Sequence, residues 1–406
     1  MKCRLAAAAL AWTTLSFAQV DPQPNEKKTI DRWIEDARLH HPTATAAHWS
    51  VEAVRAQIPG TQAWMPPSSQ IQYQSDGRVD LALTQMIPGP GKTSSQRAVR
   101  EAQLGMGQSD SAESLRKLAL SVQEAAWMEW MAWEKTKLVA RQHSAAIQLR
   151  DAVLRNQASG MATPTEGWLA QVRVRQLKVQ GEQMLSEAIT ATQMRQTFAG
   201  DREDPLVAGS PLAPDWNDSS LLADLENRPD LRSMKNDASM QDAMKDAMKK
   251  NLVPDFMVGG MLMRMTNGMP GWGVMAGMTL PFAPWSRGMA DAEINGSSAR
   301  GHERMMKRET MKRMAHTEVF DHAAKAKAAW NALCEIDSTI LPGQDRAAAD
   351  ARARYAQGKE MLSMVLSMED MIRMTQMETI MRRGEYELEK ARLWAAAGLD
   401  GKETSR

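Results

Sequence analysis

The chain has 406 residues, a charged fraction of 24% and a formal net charge of +1. This near-neutral balance excludes the basic excess that nucleic-acid-binding proteins carry, so no nucleic-acid partner is predicted. The unusual component is methionine, with 32 residues against 5 Phe and 3 Tyr, and 23 of the methionines lie from Met234 onward.

The first residues predict export from the cytoplasm. A short basic start precedes an apolar run over residues 5–17, and Ala18 follows as a small residue typical of a cleavage site. We therefore predict a signal peptide over residues 1–18. No later stretch offers the roughly 18 apolar residues of a membrane-spanning helix, so any insertion into a membrane would use strands. Cleavage would leave Cys334 as a single thiol, which we interpret as filling a helix face.

The predicted elements occur twice in the same order. A pre-proline turn, a short helix, a strand pair and two long helices begin near Pro42, and the same series begins again near Pro229. Pro67 and Pro254 precede the first strand of each series, and both pairs of prolines are separated by 187 residues. Such a repeat predicts a duplicated architecture. We assign residues 19–215 to the first unit, 216–400 to the second and 401–406 to a polar tail.

Each unit contains a pair of short strands, at about 69–86 and about 255–281. Apolar and polar residues alternate in the first pair, which is typical of a sheet with one face toward lipid and the other toward water. Asp76-Gly77 and Asn267-Gly268 supply the tight turns. Four strands are too few to close a membrane-spanning barrel, so several chains must contribute to one wall.

Each unit also contains a long helical hairpin, at about 94–199 and about 289–398. In the first hairpin the spacing of Leu115, Leu118 and Val122 is that of a coiled-coil seam. This hairpin is predicted to reverse at Gly160. The second is predicted to contain a turn at Pro342-Gly343 and a further reversal near residue 358.

Several short motifs follow one another along the chain. The first strand pair ends in residues 85–88 (Gln-Met-Ile-Pro), and Gly91-Lys92 follows it. The tip of the first hairpin is at residues 155–160, and residues 228–231 (Arg-Pro-Asp-Leu) open the second unit. In this order they resemble the TolC-like outer-membrane efflux proteins over nearly the whole mature chain. The resemblance implies a mainly α fold with a small β part. Three copies would form a twelve-stranded outer-membrane barrel, four strands from each, continued by a coiled-coil α-helical tube into the periplasm.

The resemblance also implies the partners. They are two further copies of the chain, outer-membrane lipid, a periplasmic adaptor and, through it, an inner-membrane pump of the RND type; no cofactor is implied. Carried onto this sequence, the adaptor-contact tips are Arg155, Gly160, Met161, Arg354, Tyr355 and Gly358.

The periplasmic entrance is the second site that the resemblance implies. Members of the family carry acidic residues there, whereas the corresponding places here are Met364 and Ser367, with Glu369 and Asp370 close by. This departure argues against a cation-selecting ring of carboxylates.

The methionines point to a substrate class. A thioether is a soft, neutral ligand suited to Cu(I) and Ag(I), and within the family this composition resembles the heavy-metal branch of the copper and silver type. The candidate metal ligands are Met257, Met261, Met263, Met265 and Met275 in the strands and Met361, Met364 and Met368 in the last helix. Together with Met371, the helical set has a 3,4,3 spacing, which is also that of a seam, so packing is the favoured interpretation there. Lipid contact is favoured for the strand set, except that Met275 is expected to face inward.

The sequence thus predicts a passive exit duct of a tripartite efflux system with heavy-metal cations as its cargo, and it predicts no enzyme activity. Two alternatives stay open. One is a duct of the same fold for drugs and other organic compounds, and the other is a periplasmic methionine-rich copper-binding protein.

Overall fold

The computed structural model describes residues 25–399, except 74, 76–78, 201–205, 207, 265–267, 269 and 282. The predicted signal peptide and polar tail therefore lie outside the described residues, as do Asp76-Gly77, Asn267 and the candidate ligand Met265.

The described chain is mainly helical and contains one small sheet. The long and short helices are α1 (Asn25–His40), α2 (Pro42–Gln57), α3 (Lys92–Ala158), α4 (Pro164–Ala199), α5 (Asp218–Ala223), α6 (Pro229–Asn251), α7 (Pro284–Glu335), α8 (Leu341–Ala356) and α9 (Leu362–Ala396). The strands are β1 (Ser68–Tyr73), β2 (Val79–Ile87), β3 (Phe256–Arg264) and β4 (Pro270–Met278). A short helix, a strand pair and long helices follow one another in the same order in both halves, which confirms the predicted fold class.

Helix α3 is the first of two rods. Its 67 residues correspond to a length of about 100 Å at 1.5 Å per residue. The predicted seam is confirmed, because Leu118 and Val122 are buried and the half-buried Leu115 packs against the same core. No helix in the described part of the chain combines the length and the apolar character needed to cross a membrane.

The second rod corrects one prediction, because the chain does not turn at Pro342. Helix α7 continues through a π-helical segment, Ile336–Ile340, directly into α8. An interior proline lacks an amide donor and clashes with the carbonyl group four residues earlier. The wider π-helical turn, in which Leu341 N–H donates to Ile336 O, lies directly before Pro342, and the rod continues through it into α8. The only described reversal of this hairpin is therefore at its tip, after Ala356.

The short helices pack on the halves of the rods that lie nearer the sheet. Helix α2 packs on α3, and α6 lies against both α3 and α7, whereas α4 and α9 run back along the far halves. Arg228, buried before α6, donates to Ala396 O at 2.9 Å and pairs with Asp230 and Glu318. It thereby joins the start of α6 to α7 and to the end of α9.

The sheet is antiparallel with the order β1-β2-β3-β4, so the β2–β3 pair joins the two halves. At its base, Asp255 accepts a hydrogen bond from Gly89 N–H at 2.8 Å and forms an ion pair with Lys92 at 2.7 Å. A Cβ atom at Gly89 would overlap with the carbonyl oxygen of Pro254. The two halves are therefore in close contact where the sheet meets the rods.

Candidate functional site

The first helical tip ends α3 at a glycine. Gly160 has φ +74°, and Met161 N–H donates to Asn156 O at 2.8 Å, the hydrogen bond of a Schellman motif. The chain then enters α4 through a capping box, in which Thr163 N–H donates to the Glu166 carboxylate at 2.8 Å and Glu166 N–H donates to the Thr163 hydroxyl at 3.3 Å. Both helix ends are thus satisfied within the tip itself.

The second tip repeats the same turn between α8 and α9. Gly358 has φ +70°, its N–H donates to Tyr355 O at 2.9 Å, and Lys359 N–H donates to Arg354 O at 2.9 Å. Only glycine adopts this backbone conformation without strain, so the two glycines that the sequence singled out fix both reversals.

The two tips lie side by side. Val153 of α3, Ala170 of α4 and Leu362 of α9 form one buried cluster, and the half-buried Tyr355 packs against it. Burial, together with the nearby carboxylate of Glu166, raises the pKa of Tyr355. The structure therefore brings the six predicted tip residues together at one end of the folded molecule, and Arg155, Met161 and Arg354 are exposed there.

The acidic residues near the predicted entrance are paired with arginines. Asp370 on α9 accepts from Arg173 of α4 and from Arg373, the latter at 3.1 Å. Glu369 lies 3.4 Å from Arg352 of α8. Burial raises the pKa of Glu369, and the Arg352 guanidinium opposes this rise. The carboxylates thus connect α9 to α4 and α8 within one chain.

The methionine stripe on α9 does not form the seam of the helical hairpin. Met361, Met364, Ser367 and Met371 are exposed, and Met368 is half-buried. The buried positions are Leu362, Val365 and Ile372, one residue farther along. Both stripes have seam spacing, and the more strongly apolar branched side chains occupy the interior. The interpretation of this set as seam packing is therefore wrong for the single chain.

The sheet has two chemically different faces. One face is apolar and exposed. Its members include Ile71, Tyr73, Leu81, Leu83, Val258, Leu262, Trp272 and Val274. The other face carries Ser68, Gln70, Gln72, Asp80 and Thr84 on β1 and β2. This division confirms the alternation predicted from the sequence.

The strand methionines lie on the polar face. Directly opposite residues of an antiparallel pair share one face, and the register places Met257 opposite Gly277, Met261 opposite Gly273, Met263 opposite Gly271 and Met275 opposite Gly259. The placement of Met275 away from Trp272 and Val274 agrees with expectation. For Met257, Met261 and Met263 the favoured interpretation of lipid contact is wrong, because Phe256, Val258 and Leu262 occupy the apolar face of β3.

Two members of this face were not singled out from the sequence. Met86 pairs with Met257, and Asp80 pairs with Met263. The alternation along β2 already placed Met86 and Asp80 on one face, but their proximity to the second strand pair depends on the β2–β3 register. Among the described residues no three side chains of His, Cys, Asp or Glu converge as a metal site. Cys334 is exposed on α7 instead of filling the packed face.

Comparisons with known proteins identify the fold. No protein-family model and no curated protein sequence matches the chain. The fold is that of several solved outer-membrane channels. The channel OprN has 16% sequence identity and a TM-score of 0.76, with 97% of this chain and 96% of that chain covered. The CmeC channel of Campylobacter jejuni has 14% identity and a TM-score of 0.74, with 100% and 95% covered. CusC, described as forming a transmembrane channel, has 16% identity and a TM-score of 0.75, with 92% of each chain covered.

Proposed function

We propose that the protein is an outer-membrane exit duct of a tripartite efflux system and not an enzyme. The observation that carries the proposal is the agreement in fold, along nearly the whole length of both chains, with proteins described as outer-membrane channels. The two-faced sheet supports it independently, because an apolar exposed face and a polar opposite face are what a membrane barrel wall requires.

A single chain cannot form such a wall. Strands β1 and β4 are the edges of the four-stranded sheet, and an open edge in lipid leaves backbone groups without hydrogen bonds. Three copies joined edge to edge would satisfy both edges, with outer-membrane lipid around the apolar face. The rods would then extend into the periplasm and present their tips to an adaptor connected to an RND-type pump.

Heavy-metal cations such as Cu(I) and Ag(I) are the proposed cargo. The polar face of the sheet presents thioethers where water-filled ducts ordinarily present polar groups, and exposed methionines line α9 near the tip. CusC is one of several similar folds, so the fold itself favours no substrate. An efflux duct for organic compounds is the alternative.

We expect the purified protein to behave as a trimeric channel. Extraction of outer membranes should yield a heat-resistant trimer, and planar-bilayer recordings should show discrete openings. A soluble monomer that binds several Cu(I) ions and never conducts would replace this proposal with a copper-storage protein.

Charge reversal at the tips is expected to abolish transport in cells. In a strain lacking the gene, the wild-type chain should restore tolerance to silver and copper, whereas the double variant Arg155→Glu/Arg354→Glu should not, because both arginines are exposed at the end that meets the adaptor. Tolerance is measured as the inhibitory metal concentration, and we expect a several-fold drop.

The matched control reverses two exposed arginines far from the tips. Arg97 and Arg313 each pair with an acid four residues away, as Arg354 does. Arg97→Glu/Arg313→Glu should keep full tolerance. Equal loss in both double variants would argue against a specific tip contact, and unchanged metal tolerance with new sensitivity to organic compounds would select the alternative cargo.

A further inference from the structure

The polar face of the sheet contains a repeated pairing of methionine with glycine. Each of the four methionines that β3 and β4 place on this face has a glycine directly opposite on the other strand. Glycine weakens the interior of a strand and often marks a place where a ligand approaches closely. Four such pairs on one face make a surface on which the thioethers face backbone without side chains.

The side chains use the space that the glycines leave. The terminal methyl carbon of Met257 lies 3.2 Å from the position that a Cβ atom would take at Gly277. The methyl carbons of Met261 and Met263 each lie 3.9 Å from the corresponding position at Gly273. Two thioethers therefore converge over one glycine.

Packing alone does not account for this face. No described helix packs against these strands, and the methionines are only half-buried by their neighbours within the sheet. If the face lines a water-filled duct, as the proposed function requires, apolar side chains there have no core to fill. A thioether differs from the other apolar side chains in having a sulfur that binds soft cations.

A carboxylate lies next to the thioethers. Asp80 is paired directly with Met263 across the β2–β3 register and is largely buried. Neutral sulfur ligands leave the charge of a bound cation in place, and a neighbouring negative charge favours a cation over a neutral molecule. Met86, opposite Met257, extends the sulfur surface onto β2.

We infer that this methionine–glycine face, consisting of Met257, Met261, Met263 and Met275 with their opposing glycines and of the adjoining Met86, is a binding surface for soft monovalent cations, Cu(I) or Ag(I). The inference rests on the proposed duct, since only that assembly turns the face toward the lumen. A bound ion can pass from one thioether of this surface to the next, which suits a path along which ions are bound and released repeatedly.

The test uses Ag(I) as the probe, because it needs no reductant. The exported chain carries Cys334→Ser, so that no thiol competes, and a purification tag without histidine. It is kept in a chloride-free nitrate buffer. Bound silver is measured by equilibrium dialysis, and X-ray absorption at the silver edge reports sulfur ligands. Met257→Leu/Met261→Leu/Met263→Leu/Met275→Leu should weaken binding by at least about tenfold, the change that a difference of about 1.4 kcal/mol produces.

The matched control changes four methionines on α9. Met361→Leu/Met364→Leu/Met368→Leu/Met371→Leu should bind silver as the parent does. If the fourfold sheet variant gives little trimer, Met261→Leu/Met263→Leu, which alters only the two thioethers over Gly273, provides the same comparison. Unchanged binding in the sheet variant, or loss of binding only in the α9 variant, would overturn the inference.

Channel recordings on the same samples separate this inference from the proposed function. If the parent protein conducts but binds no silver through sulfur, the inference of a cation-binding surface is wrong and the proposed duct is unaffected. If the parent binds silver on the sheet but forms neither trimers nor channels, the sulfur site is supported and the proposed duct is wrong.

Discussion

Replacing Asp255 with alanine is expected to lower the free energy of unfolding by about 3 kcal/mol, the lower end of the loss seen when one partner of a buried ion pair is removed, because Asp255 is itself partly exposed. The change leaves the buried Lys92 ammonium without its carboxylate and Gly89 N–H without its acceptor. Both lost contacts lie where the sheet meets the rods. The measurement is denaturant unfolding of the detergent-solubilised protein, followed by the circular dichroism of its helices.

Lys92→Met provides the comparison. It removes the cation but keeps the hydrogen bond from Gly89 to Asp255, so we expect a smaller loss of stability than in Asp255→Ala. The double variant should be more stable than the sum of the two single losses predicts, because it no longer buries an unpaired charge. Strict additivity would show that the pair contributes no coupling at this junction.

Replacing Gly384 with alanine is expected to destabilise the contact between α9 and α3 by about 1–3 kcal/mol. A Cβ atom at this buried position would overlap with the sulfur and Cγ atoms of Met131. These atoms belong to a half-buried side chain that packs against the core around Trp127 and Trp130, so the side chain must leave part of this packing to admit the new methyl group. The shift in unfolding midpoint measures the cost.

Truncation of the partner side chain should relieve this overlap. Met131→Ala/Gly384→Ala should be destabilised by less than the two single variants together, a coupling of the sign that steric overlap predicts. Gly107→Ala on α3, where nothing lies within 4 Å of an added Cβ atom, serves as the control and should change little. A Gly384→Ala variant as stable as this control would contradict the close approach.

Much of the fold could be predicted from local patterns. The paired prolines before α2 and α6, the alternation along β2 and the seam of α3 each follow from residues near one another in the chain. The tips were predictable for the same reason, because Gly160 and Gly358 are required by their own backbone conformation. Adaptor contact and cargo do not follow from such patterns, since they depend on other molecules.

The placement of the methionines needed information from distant parts of the chain. On α9, two stripes with identical spacing competed for the interior, and contacts with α8 and with α3 selected Leu362, Val365 and Ile372. On β3, both faces read as apolar, so the strand alone did not specify which face would join the polar side of β2.

The duplication, the helical and strand segments, and the glycine reversals at the tips follow from local residue patterns, because each depends on periodicity or backbone conformation within a short stretch. The helical path through Pro342, and the face that the strand methionines share with Asp80 and Gln72, became clear only from contacts in the folded chain. The physical reason is the register: in a sheet a shift of one residue moves every side chain to the other face, and only the pairing between the two halves fixes it.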